Sequence, residues 1–394
     1  MTVSRRRFLH TTGVALSAPF LVKFLGEPAE AALASAKYLV PFTDPRFGNK
    51  IVKVTNPLTT VPGLSVKWEK VARHHYSIDQ AWNADQSLLV MGMGTPGRLF
   101  LDGRTYKPLF HLRNRGTSRW HRTNPDLMVC VVGAGVGYWN VRKDTYQILN
   151  PLSNYRVANI GEKGNLSNNG TMLAISATRS DGKKVIFAYN LSTGQKYPDI
   201  DMSAWNDVGW TTVSPKGTYM ITYSRKTSSS DRQRLVFTLD GKLVQNWADY
   251  ERPGHNDFMI DRNGYEVAVG RSKADAYRMI TRRLVDGKIT FLSDSLRASH
   301  TSARCLGYPG WVFGSFGQPE STSSRYLPYS NEVTAISTDG TQKVRRLATH
   351  NSTENTYVSE PHASPSPDGK RAIFASNWGV SGGPVAAYVA EFTS

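Results

Sequence analysis

The sequence predicts an all-β fold, a seven-bladed β-propeller, and three observations carry that expectation. A turn-forming tetrad stands just before a short apolar run seven times: Asn83-Ala84-Asp85-Gln86, Thr123-Asn124-Pro125-Asp126, Ser167-Asn168-Asn169-Gly170, Ser214-Pro215-Lys216-Gly217, Asp261-Arg262-Asn263-Gly264, Gly307-Tyr308-Pro309-Gly310 and Ser366-Pro367-Asp368-Gly369. The copies recur at roughly 40 to 60 residues, the length of one four-stranded blade. Between them lie strand–turn–strand patterns around Thr-Gly or Asp-Gly, as in VIFAYNLSTGQKY, RLVFTLDGKLVQNW and EVTAISTDGTQKVRRL, with no sustained helical periodicity.

Each element has a local reason. In the tetrads, Pro presets φ, Asn and Asp bond their own backbone, and Gly supplies φ > 0, so each reads as a β-turn. The first strand-like segments, KYLVPF and KIVKVTN, and the last, VAAYVAEF, can complete one another's blade and close the ring. A two-sheet sandwich is the alternative, but it gives no reason for seven copies at one period.

The chain opens with Ser4-Arg5-Arg6-Arg7-Phe8-Leu9 and a mostly apolar stretch from Thr12 to Leu25, followed by small residues at Ala29, Ala31, Ala32 and Ala34. This pattern reads as a twin-arginine export signal. Residues 1–34 are therefore expected to be the signal, and residues 35–394 the propeller, periplasmic or secreted. The apolar stretch is short for a spanning helix.

Of 394 residues, 40% are hydrophobic and 11% aromatic, enough for cores between stacked sheets, and the net charge is +17. Without residues 1–34 the chain loses four basic and two acidic residues, leaving +15. Such a field attracts polyanions. The basic residues are scattered, which argues against nucleic acid as the partner. The two cysteines lie in different repeats, and Cys130, inside the run MVCVV, is expected to be a buried free thiol.

A repeat gives every residue a phase. In a propeller, residues a little before each tetrad share one mouth of the central channel with those about seven to nine after it. His74, His75, His121, His255, His300 and His362 fall at the first phase. His255, His300 and His362 can bind a divalent metal, with Cys305 or Asp257 as a fourth ligand, or can simply line the channel through hydrogen bonds. Arg179, Arg225 and Arg271 recur at the second phase, and Tyr223 shares a strand face with Arg225. Arginines facing histidines suggest an anionic ligand, since a guanidinium pairs a carboxylate through two parallel bonds.

The stretches His74-His75-Tyr76-Ser77 leading into AWNADQSLLVMG, Trp120-His121-Arg122-Thr123-Asn124-Pro125-Asp126, HNDFMIDRNGYEVAVG, HTSARCLGYPGWV and EPHASPSPDGKRAIFASNWG resemble the secreted propeller-type polysaccharide lyases. The resemblance is nearer to ulvan lyases and more distant to oligogalacturonate lyases. It implies β-elimination at a uronic acid, with His75, His121, Tyr223 and Arg225 as the catalytic group. It also implies a divalent metal on His255, His300 and His362; with Cys305 as a further ligand the expected ion is zinc, manganese or calcium, and substrate contacts are expected at His74, Tyr76, Arg179 and Arg271. Elimination needs a neutraliser for the uronate carboxylate, a base for the C5 proton and an acid for the departing oxygen. Hydrolysis would instead need a carboxylate pair, and Asp and Glu are sparse at these phases apart from Asp207 and Asp257.

The expected partner is thus an anionic polysaccharide or oligosaccharide. No nucleic acid and no membrane span in the mature form are expected, and the protein is expected to be a monomer. A non-catalytic propeller that binds an envelope partner is the alternative.

Overall fold

A computed structural model describes residues 36–393 except 134, 209, 276, 294–297 and 318–327. Residues 1–34, expected from the sequence to be an export signal, lie outside the described residues.

Seven sheets follow one another along the chain. Blade 1 contains Leu88–Met91, Arg98–Asp102 and Pro108–Leu112, with Trp82 bridging Leu89 on its inner edge. Blades 2 to 6 start at their inner strands Ser118–Trp120, Tyr155–Ile160, Trp205–Asn206 with Thr211–Val213, Pro253–Ile260 and Ala298–Ser302. Blade 7 joins the two ends of the described chain. Ser364–Pro365, Arg371–Ser376 and Val385–Glu391 come from the C-terminal end, and Lys50–Lys53 and Pro41–Thr43 complete the sheet from the N-terminal end. Val52 pairs Val389 and Lys50 pairs Glu391, both antiparallel, so the ring is closed by backbone hydrogen bonds as the terminal strand patterns suggested.

The tetrads are the turns between first and second strands. Their backbones close through bonds such as Gly170 N to Ser167 O at 2.9 Å and Gly217 N to Ser214 O at 2.8 Å. The final glycines of five copies lie at φ between 68° and 80°, and Gln86 adopts the same left-handed turn at 59°.

The apolar runs after the tetrads do not alternate with polar residues because the strands are buried on both faces. Leu88 and Val90 pack against Trp120 and Met128 of blade 2, whereas Leu89 and Met91 pack against Ile373 and Val389 of blade 7. Met128 and Cys130 likewise face blade 1, and Val129 and Val131 face blade 3. The apolar core is therefore a set of layers between neighbouring blades. The layer between blades 4 and 5 holds Ile221, Trp247 and Phe258, and that between blades 6 and 7 holds Phe313 and Phe374. Cys130 and Cys305 are both free and buried.

Residues 77–80 run between blades and bind several of them. Asn165 Nδ2 donates to Ile78 O (2.9 Å), Ser364 Oγ to Asp79 O (3.0 Å), and Gln80 Nε2 to Arg304 O (3.0 Å) and Pro365 O (3.1 Å). No helix among the described residues is long and apolar enough to cross a membrane.

The turn geometry predicts a graded response to alanine. A Cβ at Gly264 (φ +80°) meets nothing within 4 Å, whereas one at Gly369 (φ +68°) meets the Tyr308 side chain at 2.7 Å. Gly264→Ala is expected to cost about 1–2 kcal/mol from the backbone alone. Gly369→Ala should cost clearly more in chemical denaturation, and equal losses would contradict this packing.

Candidate functional site: a histidine–glutamate cluster beside a cationic cavity

Three inner-strand starts, on blades 5, 6 and 7, carry His255, His300 and His362. The strands are irregular where the histidines sit. The register shifts between Gly254 and Asp257 and between Ala298 and His300. His255 and His362 hold left-handed backbones at φ 46° and 44°. A bulge re-aims a side chain that a regular strand would bury in an inter-blade layer, and non-glycine residues in this region concentrate at functional sites.

The re-aimed rings meet. His300 lies 4.0 Å from His362 and 4.3 Å from His255 between ring centroids, and His255 Nδ1 is 2.7 Å from His300 Nε2. Glu360 joins them, with Oε2 3.2 Å from His300 Nδ1 and 3.4 Å from His362 Nε2. The ligand atoms of His300, Glu360 and His362 all lie within 4.8 Å of one another. His255 stands beside this trio as a hydrogen-bond partner of His300.

Buried groups from the segment after the ring-closing strands hold the cluster. Arg73 donates to Val358 O (2.9 Å) and Glu360 O (2.8 Å), and its Nη2 lies 2.5 Å from His362 Nδ1. His74 Nε2 donates to His362 O at 2.7 Å. Tyr76 packs its ring 4.9 Å from His362 and 5.2 Å from His300.

Next to the cluster is a cavity of about 440 Å³, lined by Tyr76, Lys163, Tyr223, Arg252, His255 and Tyr357 among others. Tyr223 Oη donates to Asp249 Oδ1 (2.6 Å) and accepts from Arg252 Nη2 (2.7 Å), with the Arg252 guanidinium 3.9 Å above its ring. Lys163 Nζ stands 4.3 Å from the Tyr76 ring centroid. Among the described residues neither Lys163 nor Arg271 has an ion-pair partner, whereas Arg252 pairs with Asp249 and Arg232 with Asp207.

That charge and burial set the protonation states. Burial, then Arg271, Arg252 and Lys163, push His255 down to about 3, so its imidazole is neutral near pH 7. Burial and then His255 and Arg271 hold His300 well below the usual range. Burial raises the Glu360 carboxyl against the opposing pull of Arg271 and Arg73. Burial and the Asp249 hydrogen bond raise Tyr223, keeping the phenol protonated.

Of the residues expected from the sequence, the structure gathers His255, His300, His362, Tyr76, Tyr223 and Arg271 around this mouth. It places the others elsewhere. His121 sits at the tetrad end of its strand, where Nδ1 accepts from the backbone N–H of Thr123 (3.2 Å) and Asn124 (3.0 Å), so it closes a turn. Arg179 pairs with Asp181 (3.1 Å) on a separate cavity of blade 3. Arg225 does not line the cavity, and Arg252 occupies the place beside Tyr223. His74 is buried behind His362 and does not line the cavity. Cys305 is not part of the metal-ligand group: its thiol donates to Trp311 O at 3.4 Å in the layer between blades 6 and 7, where burial pushes it up to about 12. Asp257 is held by Arg304 through two 2.8 Å bonds, a buried ion pair between blades 5 and 6. His75 is half-exposed, bonded through Nδ1 to Asp79, and lines a neighbouring cavity.

The sparsity of carboxylates expected at this mouth is also corrected. Glu360 stands in the cluster, and Glu162 and Asp207 line the cavity. Glu360 and Glu162 come from connecting segments, which the strand phase did not cover, whereas Asp207 was one of the two expected exceptions. Glu360 had a usable signal. In an extended segment residues i and i+2 share a face, so Glu360-Pro361-His362 presents a carboxylate and an imidazole together.

No protein-family model and no curated protein matches the chain. Among solved structures it is similar to an oligogalacturonate lyase in complex with manganese, with TM-score 0.62 and 15% identity over 90% of this chain and 96% of that one. It is also similar to an oligogalacturonate lyase from Vibrio parahaemolyticus, with TM-score 0.59 and 11% identity over 90% and 97% of the two chains. At these identities the likeness establishes the fold, a seven-bladed propeller.

The buried imidazoles predict how stability follows pH. His74 is held down to about 3 by burial and Arg73, and His350, hydrogen-bonded to Phe316 O, to about 4 by burial. Below the ordinary value of 6.5 the unfolded chain takes up protons that the folded chain refuses, so stability is lost as pH falls. The thermal midpoint is expected to decline steadily from pH 6.5 to about 4; a flat profile across that range would contradict the neutral, buried assignment.

Proposed function

We propose that the protein is a polysaccharide lyase that cleaves a uronate-containing chain by β-elimination. The observation that carries this reading is the position of His255, which borders both the His300–Glu360–His362 cluster and the cavity that holds Lys163 and Arg252. The fold shared with two oligogalacturonate lyases supports it, and of the two lyase families that the sequence resembles, it favours the galacturonate-acting one over the ulvan-acting one.

The chemistry follows from what each group can do. Lys163, Arg252 and Arg271 supply positive charge for the uronate carboxylate, which lowers the cost of the charge that develops when the C5 proton leaves. His255 is neutral and can take that proton. Tyr223 keeps its proton and can give it to the glycosidic oxygen. The C4–O4 bond breaks, the C4=C5 double bond forms, and the proton count balances through His255 and Tyr223. Tyr76 and Tyr357 wall the cavity and limit water.

A divalent metal fits the cluster. His362 Nε2 is buried without a hydrogen-bond partner, and the nitrogen–oxygen donor set suits manganese or zinc. His300, Glu360 and His362 would hold the ion. Once bound, the ion would supply Lewis-acid charge toward the substrate carboxylate.

Manganese(II) added to metal-free protein should raise the thermal midpoint, about 2.7 kcal/mol of stabilisation at a hundredfold excess over Kd. Glu360→Ala should abolish that shift. A shift that survives in Glu360→Ala would move the metal elsewhere.

Polygalacturonate, glucuronan, alginate and ulvan, each incubated with metal-loaded protein, test the reaction. At least one should yield an ultraviolet-absorbing unsaturated product, and His255→Ala should lower kcat by about 10²–10⁴-fold. New reducing ends without that absorbance would show hydrolysis instead, and no cleavage of any of the four would overturn the lyase reading.

A further inference from the structure

A second cavity, of about 270 Å³ between blades 1 and 2, shares Glu162 with the first. Consecutive residues divide between the two: His75 lines the second and Tyr76 the first. The other charged groups at the second cavity are Asp79, Arg98 and Arg119.

Their pairing leaves Arg98 and the exposed Glu162 carboxylate outside any ion pair among the described residues. Arg119 is consumed by the backbone oxygens of Gly164 (2.6 Å), Glu162 (2.5 Å) and Ser118 (3.0 Å) and by Asp79, at 3.2 Å. The other Asp79 oxygen binds His75 Nδ1, which leaves the remaining ring nitrogen of a half-exposed imidazole available. Asp79 stays ionised: Arg119 and His75 outweigh its burial and hold it near 2. Arg98 has only neutral partners, Gly116 O at 3.1 Å, Asn114 Oδ1 at 3.5 Å and the Met128 sulfur at 3.9 Å. No carboxylate lies within ion-pair distance of it among the described residues. A partly buried guanidinium without an anion is costly unless a ligand supplies one.

We propose that this cavity is a second carboxylate subsite, in which Arg98 holds the acid group of a neighbouring sugar unit beside the half-exposed His75 ring. Burial, and then the neighbouring Arg119, push the Arg98 guanidinium down to about 10. Asp79 and Arg119 act as positioning residues, fixing the His75 ring through Nδ1. Glu162, exposed between the cavities, accepts hydrogen bonds from sugar hydroxyls. The inference rests on the uronate-lyase reading and adds that recognition extends over at least two acidic units.

Calorimetric binding of trigalacturonate and triglucuronate to metal-loaded His255→Ala protein, which turns substrate over slowly, tests it. Arg98→Gln in that background should weaken binding of the better ligand about 10–100-fold, the loss of one charge-assisted hydrogen-bond set. Arg98→Lys should recover part of it, which separates a lost charge from a misfolded blade. Unchanged affinity in Arg98→Gln overturns the subsite while leaving the lyase reading intact. Failure of both trisaccharides to bind the parent, with no polymer cleaved by the wild type, overturns both.

Discussion

Closure of the ring by the pairing of Lys50–Lys53 with Val385–Glu391 is the constraint on which the remaining architecture depends. The apolar core is divided into layers between neighbouring blades, and each layer is buried only while both of its blades are in place. An open blade 7 would expose Phe374 and Tyr388 on one side and Ile373 and Val389 on the other. Ring closure also serves the site. Val71–Ala72 runs parallel to Val385–Ala386 at the same junction, and the next residues, Arg73, His74 and Tyr76, are the ones that hold His362 and cover the histidine cluster.

The cluster combines backbone strain with buried charge. Two histidines in left-handed backbone conformation, each costing on the order of 1–3 kcal/mol, persist because surrounding bonds over-determine them. Thr301 Oγ1 donates to His255 O at 2.7 Å, and His74 donates to His362 O. Burial, and then the neighbouring positive charge, keep the imidazoles neutral. The same charge would draw an acidic polymer to the mouth.

Much of the site was legible from phase alone, and the misplacements have physical causes. His255, His300 and His362 precede their tetrads by similar intervals because each opens an inner strand. His121 precedes its tetrad too, but by only two residues, so it falls at the turn and caps it. Cys305 and Asp257 were near the histidines in sequence, yet strand alternation turns them into inter-blade contacts. Arg252 lies on the segment between blades 4 and 5, and Lys163 on the connection between the first two strands of blade 3, where no strand period applies.

Taken alone, the chain specifies the number of blades, the turns that separate them and the crowding of histidines at one phase, because turn chemistry and apolar runs are local and repeat with the blade. Which side chains share a cavity was decided by tertiary structure. Bulges and left-handed residues rotate a side chain without leaving any mark on the period, and ring closure alone brings residues 73–76 to residues 255, 300 and 360–362. Contacts across nearly 300 positions depend on blade geometry, which local propensity does not encode.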